Sequence, residues 1–159
     1  MKRFVPIVIA LMVSTMGVTS QEKPKLIVNA FTMAQGVELP YDMKLLQTQL
    51  IAELKVELKD YSIISEPASA PEGTVYALDG VITGWRPGNA AKRMFVGMGS
   101  GREASDIEFS VADASGKKLL ERKETIRTNF YSQGAGSSGT LAHPIALKVA
   151  DRIKEAKLK

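Results

Sequence analysis

The chain has 159 residues, of which 21 are lysine or arginine and 17 are acidic, a size typical of one domain. It contains no cysteine, which excludes disulfides, thiolate nucleophiles and zinc–sulfur sites within the chain. The net charge of +4 is far smaller than the concentrated positive charge of nucleic-acid-binding proteins. A nucleic-acid partner is therefore not expected.

The first residues predict a signal peptide at 1–20. Lys2 and Arg3 give a basic start, and Phe4 to Val13 (FVPIVIALMV) form an apolar core. Small and polar residues follow, with a pattern that favours cleavage before Gln21. The apolar run is about half of the roughly 20 residues that a membrane span needs, so no stable span is expected after cleavage.

The cleaved product is predicted to be periplasmic or secreted. No cysteine follows the apolar core, so a lipoprotein anchor is not expected. Cleavage removes two basic residues and no acidic one, which leaves a net charge of +2. Residues 21–25 are predicted to be a polar lead-in, and residues 26–159 a single α+β domain.

Three elements are predicted before residue 66. Leu26 to Thr32 is a β-branched and aromatic run typical of a strand, and Gly36 and Pro40 follow it. Tyr41 to Asp60 is the clearest helix, because leucines recur every four residues at positions 46, 50, 54 and 58. Tyr61 to Ser65 reads as a second strand.

Thr74 to Trp85 predicts a third strand. Its apolar residues occupy both faces, which favours a central position in the sheet. Gly80 and Gly84 interrupt it, and they indicate a bulge or the close approach of another backbone. Arg86 to Asn89 (RPGN) is then predicted to be a turn.

The second half of the chain predicts a hairpin and a closing helix. Ile107 to Val111 alternates as a half-buried strand, and Asp113 to Gly116 has hairpin chemistry. Leu119 to Tyr131 is the partner strand, residues 132–139 a loop and Thr140 to Lys159 an amphipathic helix. This order predicts an α+β two-layer sandwich, with a mostly antiparallel sheet of about five strands and two helices.

The glycine-rich segment 86–102 is the candidate contact region. Three of its glycines are two residues apart, so in an extended chain they would share one face that permits close approach of a flat partner. Packing within the domain or a flexible loop is the plainer interpretation, and a contact with a partner or a second copy is the functional one. The candidate contact residues are Arg86, Arg93, Gly97, Gly99, Gly101 and Arg102.

Other motifs give no active site. Gly134 to Gly139 (GAGSSG) matches a dinucleotide-binding pattern, but no strand follows the next helix, so a flexible connection is expected. His143 is predicted to have a capping or surface role. Asp106 and Glu108 share a strand face, where paired carboxylates are usually solvated. We therefore predict no catalytic residue, no metal site and no cofactor, and the protein is not expected to be an enzyme.

Several of these segments together resemble an uncharacterised bacterial family, the domain of unknown function DUF4410. The resemblance lies in Pro87-Gly88, Arg93, Val96 to Gly101, the strand Ile107 to Val111, and Asp113 to Gly116. It covers roughly Leu26 to Lys157. It implies a small α+β domain of the cell envelope, distantly similar to the periplasmic domain of the curli-secretion lipoprotein, and it brings no catalytic residues.

Two functional hypotheses follow. The first is a non-enzymatic periplasmic protein that helps to assemble or maintain the envelope through contacts with an envelope protein or with itself. The alternative is a binding module for a small anion or an envelope glycan, which would use Lys92 together with Arg86, Arg93 and Arg102 around the glycine-rich segment.

Overall fold

A computed structural model describes residues 22–65, 73–88, 103–127 and 140–158. Within these ranges there are six strands and two helices, namely β1 (Lys25–Val28), β2 (Thr32–Met33), α1 (Met43–Glu57), β3 (Ser62–Ile64), β4 (Val75–Arg86), β5 (Ala104–Asp113), β6 (Lys118–Arg127) and α2 (Ala142–Ala156). The predicted signal peptide, the glycine-rich segment from residue 89 onwards and the glycines at 134–139 lie outside the described residues.

The six strands form one mixed sheet. Its order is β3-β1-β4-β5-β6, and β2 also pairs with β4. Strands β4, β5 and β6 are antiparallel, whereas β1 runs parallel to β3 and β4, and β2 runs parallel to β4. The α+β class and the two helices are confirmed. The sheet is mixed because α1 crosses over between β1 and β3, and such a crossover returns the chain in the same direction.

Both helices pack against one face of the sheet. The leucines of α1 at 46, 50 and 54 are fully buried, as are the apolar residues of α2 at 145, 146, 149, 150 and 153. They meet the inward residues of the central strands, among them Leu78, Ile107 and Val111. The core is therefore a single layer between helices and sheet, as the periodicity of both helices predicts.

Helix α1 is shorter at both ends than its pattern predicts. Asp42 lies just before the first turn, and its Oδ1 accepts hydrogen bonds from the backbone N–H groups of Lys44 (2.6 Å) and Leu45 (3.1 Å). This N-cap fixes the start of the helix after Asp42. The helix ends at Glu57, and the backbone N–H of Leu58 still donates to Leu54 O.

The predicted first strand is two short strands. Between β1 and β2 the backbone leaves the ladder, and the Gln47 amide of α1 takes over its hydrogen bonds. Gln47 Nε2 donates to Asn29 O (3.1 Å), and Gln47 Oε1 accepts from Phe31 N–H (3.1 Å). This substitution by a side chain lets Phe31 turn into the core, where only 5% of it is exposed.

Strand β4 is central, as predicted. Its residues Tyr76, Leu78 and Ile82 are buried under the helices. The second face is open rather than covered, and Val81 is 36% exposed there. Gly80 allows the close approach of an aromatic ring, that of Phe31, and not of another backbone. The predicted bulge is confirmed between Ile82 and Gly84.

The predicted hairpin connects β5 to β6. Asp113 Oδ1 accepts hydrogen bonds from the backbone N–H groups of Ser115 and Lys117, and Gly116 adopts a positive φ of 83°. At the far edge of the sheet, Arg152 of α2 pairs with Glu124 of β6. This ion pair joins the last helix to the last described strand.

Candidate functional site

The candidate site is the end of the β4–β5 pair, on either side of residues 89–102, which lie outside the described residues. Both strand ends are fixed by side chains. Ser105 is fully buried, and its Oγ donates to Gly84 O (2.9 Å) across the pair. The bulge at Gly84 changes which face the following residues occupy, so Trp85 turns toward the core and Arg86 toward the open face.

On the core side, Trp85 and Glu103 join the two strands. Trp85 Nε1 donates to Glu103 Oε1 at 2.8 Å. The buried hydroxyl of Tyr41 lies in the same region, and it forms no hydrogen bond with a described residue. Burial, and secondly the Glu103 carboxylate, raise the pKa of Tyr41, so the phenol stays neutral.

On the open face, one carboxylate connects three strands. Asp106 of β5 accepts a hydrogen bond from Thr125 Oγ1 of β6 (2.6 Å) and pairs with Arg86 Nη2 of β4 (3.0 Å). Thr83 Oγ1 adds a hydrogen bond to the Asp106 backbone carbonyl (3.3 Å). The Thr125 hydrogen bond, followed by Arg86, holds the pKa of Asp106 below its usual value.

Among the predicted contact residues, the structure describes Arg86. Its side chain is 59% exposed, although one guanidinium nitrogen is bound to Asp106. Lys92, Arg93, Gly97, Gly99, Gly101 and Arg102 lie outside the described residues, so their grouping stays a prediction. The structure adds Trp85, Glu103 and Thr125 to the site. Trp85 and Glu103 are 18 residues apart, and Thr125 is 19 residues from its partner Asp106. The strand register that brings these residues together is not visible in the sequence.

The two other motifs with ionisable side chains are engaged in structural pairs. His143 is partly exposed, and its Nδ1 lies 2.8 Å from Glu53 Oε2, so it joins α2 to α1. It does not cap α2, because Thr140 Oγ1 accepts the hydrogen bond from Ala142 N–H. Glu108 shares a face with Asp106, as predicted, and pairs with Lys123 at 2.7 Å.

Within ranges 22–65, 73–88, 103–127 and 140–158, no cluster of three or more histidine or carboxylate side chains is arranged to hold a metal ion. In the same ranges, neither helix has the length and apolarity needed to cross a membrane.

The structure is an α+β domain whose helices cover one face of the sheet. Side chains connect the ends of β4 and β5, and the glycine-rich residues 89–102 lie between these ends in the sequence. The family described as "Domain of unknown function (DUF4410)" matches residues 18–130, and the chain belongs to this family. The resemblance seen in the sequence is thereby confirmed. A comparison with curated proteins finds no match.

Several solved structures are similar to this chain at low sequence identity, and the first of them shares its fold. An uncharacterised protein is 16% identical, with a TM-score of 0.54, and the match covers 84% of this chain and 92% of that one. The PelC dodecamer from Paraburkholderia phytofirmans is 16% identical over 79% of this chain and 86% of its own, with a TM-score of 0.48. The hypothetical protein CT253 from Chlamydia trachomatis is 12% identical over 85% and 94%, with a TM-score of 0.45.

Proposed function

We propose that this protein is a non-enzymatic periplasmic component of the bacterial envelope, and that it acts through protein contacts made by residues 89–102. The proposal rests on the side-chain contacts that hold together the two strand ends on either side of this segment. Trp85–Glu103, Ser105–Gly84 and the Asp106 network hold both ends of the connection.

These contacts matter because binding costs less conformational entropy when a contact segment is connected to ordered strand ends. In an extended segment, the three alternating glycines would present a backbone surface without side chains to a flat partner. The anion-binding alternative is less well supported, because Arg86, the cation of that set in the described residues, already pairs with Asp106. Its charge is therefore partly neutralised before any ligand arrives.

Export is part of the proposal and has its own test. Amino-terminal sequencing of the protein recovered from a periplasmic fraction is expected to start at Gln21. An intact amino terminus on cytoplasmic protein would contradict the proposed location.

The contact is tested by site-specific photo-crosslinking in cells. A photoreactive amino acid at Met98 is expected to give crosslinked adducts that Gly99→Val removes. The matched control is the same amino acid at Ser115, in the hairpin at the other end of β4 and β5. Adducts at Ser115 and none at Met98 would contradict the assignment, and so would adducts at Met98 that persist in Gly99→Val.

A further inference from the structure

Helix α1 has an apolar stripe on the side turned away from the core. Leu45 is 46% exposed and Val56 is 59% exposed, and Ala52 is exposed between them. These three residues are seven and four positions apart, so they lie on one face of the helix. The sequence pattern predicts a single apolar stripe on this helix, and the structure shows a second one in contact with solvent.

Two lysines run beside this outer stripe. Lys44 and Lys55 are eleven residues apart and therefore also lie on one side of α1. Both are exposed, and neither forms an ion pair with a described residue. They also line a groove of about 720 Å³ between α1 and the neighbouring strand edge, whose floor includes Phe31 and Ile51. None of the described residues that line this groove is acidic.

The acidic residues of α1 lie on its other side. Glu53 pairs with His143 at 2.8 Å, and Glu57 lies 3.8 Å from Lys154, so both carboxylates face α2. The outward side of α1 thus combines exposed apolar side chains with two lysines that form no ion pair with a described residue. It is the arrangement of a helix that lies in the interface of a bilayer containing anionic lipids.

We propose that the outer side of α1, consisting of Lys44, Leu45, Ala52, Lys55 and Val56, docks on an anionic phospholipid surface. The lysines meet lipid phosphates, and the apolar stripe enters the boundary between headgroups and acyl chains. Leu45, Ala52 and Val56 lie along one line of the helix, which a flat surface can contact, whereas a protein partner would need a shape that fits both this line and the groove beside it. Charge and shape therefore favour a bilayer over an acidic protein segment.

The expected contact is weak and reversible. A lysine near an anionic surface contributes about a fivefold gain in association, and the exposed half of a leucine or valine contributes a similar factor. Together the two lysines, the leucine and the valine give a gain of about 600-fold, the product of four such factors. Such a contact orients a protein at a membrane rather than anchoring it.

The absence of cysteine from the sequence allows an unambiguous test in the full chain. A polarity-sensitive fluorophore is attached at Val56→Cys, and separately at Val81→Cys on the open sheet face as a matched control. Vesicles of phosphatidylethanolamine and phosphatidylglycerol are expected to shift the emission of the label at 56 to the blue, and brominated lipids to quench it. The label at 81 is expected to stay in water.

Charge dependence completes the test. Phosphatidylcholine vesicles are expected to give no shift, and Lys44→Gln with Lys55→Gln to lower contact at residue 56 by about tenfold or more. A label at 56 that remains in water on anionic vesicles would overturn the proposal. So would equal shifts at 56 and 81, since these would show attachment through another part of the chain. A shift at 56 that depends on protein concentration without lipid would identify a second copy as the occupant.

Discussion

Substituting Gly80 by alanine should destabilise the protein through one contact. A Cβ atom at residue 80 would lie less than 3.0 Å from three ring carbons of Phe31, so the ring has to move. The ring cannot simply recede, because Gln47 holds the Phe31 backbone and the ring lies in the core. Overpacking of this kind costs about 1–3 kcal/mol. We expect a loss near the upper end, about 3 kcal/mol.

The assay is urea unfolding followed by circular dichroism, with Gly80→Ala, Phe31→Ala and the double variant. Phe31→Ala alone should cost about 3–5 kcal/mol, because it leaves a cavity. Once the ring is absent, Gly80→Ala should cost almost nothing, so the cycle should show a coupling of about 2 kcal/mol or more. The matched control is Gly84→Ala, whose Cβ would lie 3.1 Å from Asp106 Oδ2. The hydrogen bonds to Thr125 and Arg86 use the other carboxylate oxygen, so a shift of a few tenths of an ångström relieves this contact.

Additive changes in the free energy of unfolding for the two substitutions would refute this reasoning. If Gly80→Ala costs the same with and without the Phe31 ring, the contact between them does not determine the cost. A loss below about 0.5 kcal/mol for Gly80→Ala would show that the ring moves freely, since surface substitutions typically have effects of that size.

Two further predictions concern polar groups. Gln47→Ala should destabilise by about 2 kcal/mol in urea unfolding, because it removes two hydrogen bonds to the backbone at Asn29 and Phe31. Gln47→Glu keeps an acceptor for Phe31 N–H but has no donor for Asn29 O, so it should restore at most part of that loss, and full recovery would contradict the assignment. The lowered pKa of Asp106 means that its contribution to stability is present above its ordinary value of 3.8 and is lost as the pH falls through the lower folded value. Acid titrations should therefore show less loss of stability below about pH 4 for Asp106→Asn than for the native chain, and identical acid profiles would contradict this.

The sequence predicts most elements because their periodicities are strong. The leucine spacing of α1 and the alternation of Ile107 to Val111 depend on local burial, and both appear in the structure within a few residues of their predicted ends. The break between β1 and β2 was not predicted. It depends on Gln47, a helix residue 16 to 18 positions away, whose amide replaces strand hydrogen bonds.

The candidate site was less predictable than the fold. Arg86 is identifiable by its charge beside a glycine-rich segment, but its partner Asp106 is set by the register of β4 and β5. That register includes a bulge, which reverses the faces of the residues beyond it. The sequence predicts a mostly antiparallel sheet, and the structure contains more parallel strand pairs than that. The reason is similar, because strand direction depends on the crossover through α1 rather than on any residue of β1.

The position of α2 constrains the order in which the chain folds. Its buried side covers α1, which lies almost 100 residues earlier, and the hydroxyl of Tyr61 donates a hydrogen bond to Leu158 O (3.3 Å). The β5–β6 hairpin can form as soon as it emerges, because its contacts are local. The leucine face of α1 must wait until residues 141–158 are available. A chain that emerges one residue at a time, from a ribosome or across a membrane, therefore completes this core only after residues 141–158 have emerged.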